Sequence, residues 1–400
     1  MRNELLCVGT LFLSVSVIST AQASRQNAKM SELQDAAQAI ASGSLTQAEN
    51  ELQSVLRSTP GEYRASDLLG VVRVLQHRET EAEECFRRAI QKDPEFAPAH
   101  AHLGRLYAQR GRPEEAVPQL REALRIDPAR TDASDALVRI LEDQSQAAAA
   151  AAESGKALAL LTEARKYAPD NADVQFQFGM MALQMSSWQD AVAAFQQTLK
   201  LRKNDPSALY SLGRAFIGLW KFEDARQQFA QYVEVRPDDA SGHCALGMTL
   251  AAIERSQEAR SEFERSIALA PAQTESYFRL GLLDLDWKDL DSAAKNLRQV
   301  LDREPKHAGA LTAMGRVAFE QKRYSEAIDL LQRAIANDAS LREAHYYLGL
   351  TFARVRREGE ANEQLQIAIQ LEHTEAEHRR IVFGILDPAV GDGQGSANPQ

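Results

Sequence analysis

Apolar positions along this chain return on two nested periods. The long one is 34 residues: Gly70, Gly104, Gly179, Gly213, Gly247, Gly281, Gly315 and Gly349 keep that interval, apart from one gap of 75 residues. A large apolar residue precedes each glycine: Leu69, Leu103, Phe178, Leu212, Leu246, Leu280, Met314 and Leu348. Twelve residues after it stands an alanine (Ala82, Ala116, Ala191, Ala225, Ala259, Ala293, Ala327, Ala361), and four later a bulky residue (Phe86, Leu120, Phe195, Phe229, Phe263, Leu297, Leu331, Leu365). The short period is helical. Positions three before, one after and four after the glycine form an i, i+4, i+7 stripe, and the alanine and bulky residue share one face of a second helix. A proline then closes most units, at Pro60, Pro94, Pro128, Pro169, Pro237, Pro271 and Pro305; Lys203, Ala339 and His373 interrupt that column. Each unit therefore predicts a helical hairpin ended by a residue without a backbone donor.

Glycine in mid-helix costs about 1 kcal/mol against alanine, so its return predicts that two helix backbones approach too closely there for a side chain. A small residue facing a large one lets neighbouring helices interlock. One hairpin cannot bury its own apolar face, so stacking makes the core continuous.

These Leu-Gly, Ala, aromatic and Pro columns resemble the tetratricopeptide repeat, over residues 29–373. The resemblance implies an all-α fold, a right-handed α-α superhelical solenoid of about ten hairpins with a C-terminal capping helix. Eight units are strong. The first, near 29–60, keeps Gly43, Ala48, Leu52 and Pro60, and the fourth carries Leu137 and Val138 in the Leu-Gly slots before resuming at Ala157, Leu161, Ala164 and Pro169. The insertion near 144–155, which includes the run Ala147 to Ala152, reads as a lengthened first helix ending at Gly155, with a hinge as the alternative. Residues 375–386 form an amphipathic candidate for the cap, and 387–400 a disordered tail.

A solenoid grows by adding neighbours, so 400 residues count as one elongated domain. The net charge of -10, without a basic cluster, argues against a nucleic-acid partner. At the N-terminus an apolar stretch from Leu5 to Ile18 leads to Ala21-Gln22-Ala23, which has the form of a secretory signal cleaved after Ala23 and too short to span a bilayer. That predicts a periplasmic or secreted protein without a transmembrane span; an uncleaved anchor is the alternative. Cys85 and Cys244 are five repeats apart, too far for a disulfide, and read as small buried hydrophobes.

The candidates for chemistry fall to the repeat. His100, His243 and His345 share the slot four before the glycine and are structural by phase. His100 and His102, and likewise His373 and His378, miss the i, i+4 spacing that puts two ligands on one helix face, so no metal site, cofactor or catalytic residue is expected. Trp188, Phe222 and Tyr324 each stand three before a repeat alanine and read as inter-helix packing; Trp220 and Trp287 fall outside that slot.

By the resemblance, the first-helix stripe lines a concave groove that holds a peptide or partner protein. Its slots carry Phe176, Met180, Tyr210, Arg214, Met248, Phe278, Leu282, Arg316 and Tyr346. Phe176, Tyr210, Met248 and Phe278 are favoured for binding, because Met adapts and Tyr is amphipathic; Leu183, Ile217 and Leu285 are favoured for packing. No Lys or Asn occupies the slots with which related chaperone adaptors hold a C-terminal carboxylate. The expectation is a non-catalytic interaction scaffold in a cell envelope. A polysaccharide-binding or export accessory protein and a self-assembling solenoid are the alternatives.

Overall fold

The computed structural model describes residues 29–386, with side chains through residue 372. Among the described residues it holds twenty helices and no strand. The chain divides after Met185 into two compact units.

Unit 1 contains α1 (29–41), α2 (Leu45–Ser58), α3 (Tyr63–Leu75), α4 (Glu79–Lys92), α5 (Ala97–Gln109), α6 (Pro113–Ile126), α7 (Thr131–Ala150), α8 (Ser154–Tyr167) and α9 (Ala172–Gln184). Unit 2 contains α10 (Trp188–Leu201), α11 (Pro206–Gly218), α12 (Phe222–Val235), α13 (Ala240–Ala252), α14 (Ser256–Leu269) and α15 (Thr274–Asp286). It continues with α16 (Leu290–Arg303), α17 (Ala308–Glu320), α18 (Tyr324–Asn337), α19 (Arg342–Arg354) and α20 (Glu358–Leu386). Odd-numbered helices are the first members of hairpins and even-numbered ones the second. Within each unit a first helix packs on its own second helix and on the second helix before it.

The glycine column has a cause different from the one the sequence suggests. A Cβ on Gly70 would lie 2.5 Å from the Phe86 ring, on Gly213 2.7 Å from Phe229, and on Gly315 2.6 Å from Leu331. What fills the missing side chain is the bulky residue 16 positions on, reaching across its own hairpin, more than a neighbouring backbone. The two columns are thus one contact within a unit, a large knob seated in a glycine hole, and the knobs Phe86, Phe229 and Phe263 are fully buried.

Each hairpin turns the same way. The residue seven after the repeat glycine is left-handed, from His77 at φ 60° to Arg356 at 62°, with a glycine there only as Gly111. The following amide reaches back to the last helical turn, as in Arg112 N–H to Tyr107 O at 2.9 Å, which closes a Schellman cap. At the other end, second helices stop two residues before the column proline: α4 ends at Lys92 before Pro94, and α12 at Val235 before Pro237.

Two elements differ from expectation. Helix α7 has 20 residues where α5 has 13, and the seven extra make about two turns, which preserves the phase of its apolar face. It ends at Ala150, with Ala152 taking the left-handed position, so Gly155 lies in the first turn of α8 instead of closing α7. Residues 375–386 do not begin a separate helix. They continue α20, a single helix of 29 residues, because His373 replaces the stopping proline and no glycine follows Gly359 until Gly384. The expected signal segment 1–23 and tail 387–400 lie outside the described residues. No helix among the described residues is long and apolar enough to cross a membrane.

Candidate interaction surface on the first helices

Most polar side chains near the hairpins serve the stack. His100 Nδ1 lies 2.8 Å from Gln119 Oε1 and its Nε2 3.0 Å from the Pro94 carbonyl. His243 repeats this with Glu262 at 2.6 Å and Pro237 at 2.9 Å, and His345 with Gln364 at 2.7 Å and Ala339 at 3.1 Å. Each ring clasps the end of the preceding second helix to its own second helix, and Gln175 of α9 makes the first of these contacts, donating to Pro169 O at 2.9 Å and accepting from Arg165 of α8 at 2.7 Å. The role by phase is confirmed with its mechanism. His102 is committed to Asp67 at 2.8 Å.

A second polar register joins neighbouring repeats through residues 24 apart. Arg73 meets Glu49 at 2.6 Å, and Tyr107 donates to Glu83 at 3.2 Å. In unit 2 Arg260 pairs with the fully buried Asp284, whose other oxygen accepts from Asn296 Nδ2 at 2.8 Å. The Trp287 ring covers the Arg260 guanidinium at 4.6 Å, which accounts for a tryptophan that the sequence pattern left unplaced. Cys85 and Cys244 are buried free thiols, and burial pushes both thiol pKa values up.

The first-helix face of unit 2 carries an opening. A cavity of about 280 Å³ is walled by Ile217 of α11, Phe222 of α12, Met248, Ala251 and Ala252 of α13, Phe263 of α14, and Leu282 and Leu283 of α15. Arg279 and Asp286 stand at its rim. Four residues after the repeat glycine, neighbouring units carry Leu183, Ile217, Leu285 and Phe319, whereas this one carries the small Ala251, which lines the opening. Of the predicted groove residues the structure brings Met248 and Leu282 together here. Ile217, expected to pack, is a wall, and so is Phe222.

The other predicted residues divide. Tyr210 packs edge-on against Phe229 at 5.3 Å and Tyr232 at 5.2 Å, and burial pushes its phenol pKa up. Phe278 lies 4.8 Å from the His307 ring and fills the space over Gly309. Both therefore have a packing role within unit 2. Arg316 is engaged by Asp286 at 3.5 Å and Glu343 at 3.7 Å and lies over Tyr347, so its charge is largely spoken for. Arg214 is exposed and has no ion pair among the described residues. Tyr346 is 42% exposed beside Tyr347, while in unit 1 Phe176 is half-buried and Met180 exposed.

Trp220 falls outside the packing slot of the sequence pattern. It is 60% exposed and packs 5.9 Å from Phe222, a cavity wall, yet holds the left-handed position at φ 58°. A non-glycine residue in that conformation costs roughly 1 kcal/mol. The readable signal was its phase: it stands seven after Gly213, where Gly111 stands in another repeat. Trp188, by contrast, fills the space over Gly218, as inter-helix packing requires.

Tetratricopeptide-repeat family profiles match residues 36–95, 142–208 and 278–342, and a second set matches 73–140 and 182–248. The chain belongs to the tetratricopeptide repeat family. A curated relative, the type IV pilus assembly protein PilF of Pseudomonas aeruginosa, is 30% identical over a match covering 27% of this chain. The chain spans 55% of the length of that relative. Among solved structures, MamA from Desulfovibrio magneticus RS-1 is 22% identical, covering 43% of this chain and 97% of that one at a TM-score of 0.41. YrrB, described as a tetratricopeptide protein with an unusual peptide-binding site, is 21% identical, covering 46% and 95% at 0.39. The Cut9-Hcn1 assembly is 13% identical, covering 91% and 85% at 0.48. Tetratricopeptide proteins are protein-interaction scaffolds, and that much applies to this repeat array.

Proposed function

We propose that this tetratricopeptide protein is a non-catalytic scaffold of a bacterial cell envelope, and that it holds a segment of a partner protein against its first helices. The observation that carries the reading is the apolar cavity at Ala251. Burial of a partner side chain of Leu, Met or Phe size in it would contribute about 1.5–3 kcal/mol, roughly a ten- to hundredfold gain in affinity. Met248 is a suitable wall because an unbranched thioether adapts to the shape of the incoming group. Trp220 and Phe222 extend the apolar surface beyond the rim, and exposed Arg214, one turn before Ile217, can meet a polar group of the same segment.

The envelope placement is supported by the apolar leader from Leu5 to Ile18 with its Ala21-Gln22-Ala23 end. The partial similarity to a pilus assembly protein is consistent with it. The helical residues already have partners in the stack, which favours binding over catalysis.

A photo-crosslinking residue at position 248, with a second at exposed Glu264 on α14 as control, tests the proposal in the native envelope. A discrete adduct with another protein is expected from 248 and none from 264. Equal yields at both positions, or no adduct at 248, would contradict it. An adduct joining two copies of the chain would replace a foreign partner by self-association.

A further inference from the structure

The cavity of unit 2 belongs to a register that unit 1 uses twice. It forms where positions one, four and five after one repeat glycine face positions one, two and five after the next. The same slots between α3 and α5 enclose about 260 Å³ with Val71, Val74, Leu75 and Leu106 among the walls. Between α5 and α7 they enclose about 420 Å³ with Asp132, Asp135, Arg139 and Asp143. Arg105 and Gln109 of α5 line both. Consecutive slots thus place an apolar pocket beside an acidic one.

The apolar member is open, with Leu75 49% exposed at its edge. In the acidic member Asp132 is met by Arg105 at 3.4 Å and by Arg130 at 3.0 Å, whereas Asp135 and Asp143 are exposed without an ion-pair partner among the described residues. They stand eight apart on α7, on one helix face, with Arg139 midway as the one cation between them. Burial pushes the neighbouring Glu142 carboxyl up; the charges of Asp173 and Asp143 add to that rise, and the hydrogen bond from Gln177 and the charge of Arg139 oppose it.

We infer that unit 1 carries a second binding site, for an extended protein segment that places one large apolar side chain in the α3/α5 pocket and a lysine or arginine in the α5/α7 pocket. Adjacent packed helices lie about 8–10 Å apart, and an extended chain rises about 3.3 Å per residue. Side chains of an extended chain alternate between its two faces, so the apolar and basic residues that enter this one surface stand two positions apart, about 6.6 Å, and the long basic side chain spans the remainder. Charge complementarity selects the basic member, and Arg105, already held by Asp132, forms the sill between the two pockets. The inference rests on the reading of the first-helix face as an interaction surface, but uses different residues and a different ligand chemistry from the cavity of unit 2.

Selection of short random peptides on the full chain, followed by fluorescence anisotropy of the peptides recovered, tests it. Peptides with an apolar and a basic residue two positions apart are expected. Their affinity should fall at least about tenfold in Leu75→Glu and in Asp135→Lys/Asp143→Lys, both exposed positions, weaken with salt, and be unchanged in Ala251→Phe. Recovered peptides without a basic residue, or binding indifferent to Asp135→Lys/Asp143→Lys, would overturn the second site. Binding lost only in Ala251→Phe would overturn it while leaving the unit 2 cavity standing, and failure to recover any peptide would count against both.

Discussion

Substitution of Asp284 by alanine removes the centre of the only fully buried carboxylate network among the described residues, and its cost follows from the contacts. Asp284 is 0% exposed; one oxygen takes Arg260 and the other Asn296 at 2.8 Å. Its removal leaves a guanidinium under the Trp287 ring and an amide with no acceptor. Breaking a buried pair from one side costs about 3–5 kcal/mol. The lower end applies, because the Arg260 side chain keeps 23% exposure and Glu264 stands 3.9 Å away. A loss of about 3 kcal/mol is therefore expected. Trp188, Trp220 and Trp287 are the three tryptophans of the chain and all lie in unit 2, so urea unfolding followed by tryptophan fluorescence reads that unit. The double change Arg260→Met/Asp284→Leu removes both charges and should return to within about 1 kcal/mol of the parent. A loss below about 1 kcal/mol for Asp284→Ala, or a double variant as unstable as the single one, would refute the reasoning.

Two glycines separate packing from propensity. Gly213→Ala places a Cβ 2.7 Å from the buried Phe229 ring and should destabilise unit 2 by about 1–2 kcal/mol net of the helix-propensity gain. Gly359→Ala meets nothing within 4 Å and should stabilise it by up to about 1 kcal/mol; the two denaturation midpoints must move in opposite directions. The Tyr232–Asp239 contact makes stability depend on pH at both extremes. Burial opposes the Asp239 carboxylate, but the hydrogen bond from Tyr232 and the amides of Ser241 and Gly242 outweigh it and hold its pKa below the ordinary range. Its contribution is present above the unfolded value near ~3.9 and lost as pH falls through the lower folded value. The Tyr232 phenol, raised first by burial and then by Asp239, is pushed up to about 12. Its contribution is complete below the unfolded value near ~10 and lost as pH rises towards the folded one. Tyr232→Phe should shrink both declines in unfolding free energy; unchanged acid and alkaline limbs would contradict this.

The hairpins were legible because each is written many times over: glycine at 34-residue spacing and Phe or Leu 16 residues on state the same knob and hole in every strong unit. The identity of what occupies the hole was not legible, since one sequence does not distinguish a close backbone from a close ring. The end of α20 was legible only as an exception, with His373 where a proline should stop the helix. Of the candidate surface, Met248 and Leu282 were legible as residues whose slots face the opening, whereas the rings of Tyr210 and Phe278 turn onto Tyr232 and His307, which their slots did not reveal. Arg316 illustrates the same limit, because its partners stand 30 residues before it and 27 after. The small Ala251, where neighbouring units carry large residues, can be read from the sequence, but the opening it lines cannot, because its walls come from five helices.

The central claim, that a partner segment is held by the cavity on α13 and α15, is tested most directly by crosslinking the tagged chain in its native envelope, with Ala251→Phe beside the parent. Phenylalanine already fills this slot in α17 as Phe319, so the change suits the repeat while occupying the hole. Loss of about nine-tenths or more of the captured partner, with circular dichroism unchanged, is the predicted result. Full capture of the same partner by the filled variant would contradict it.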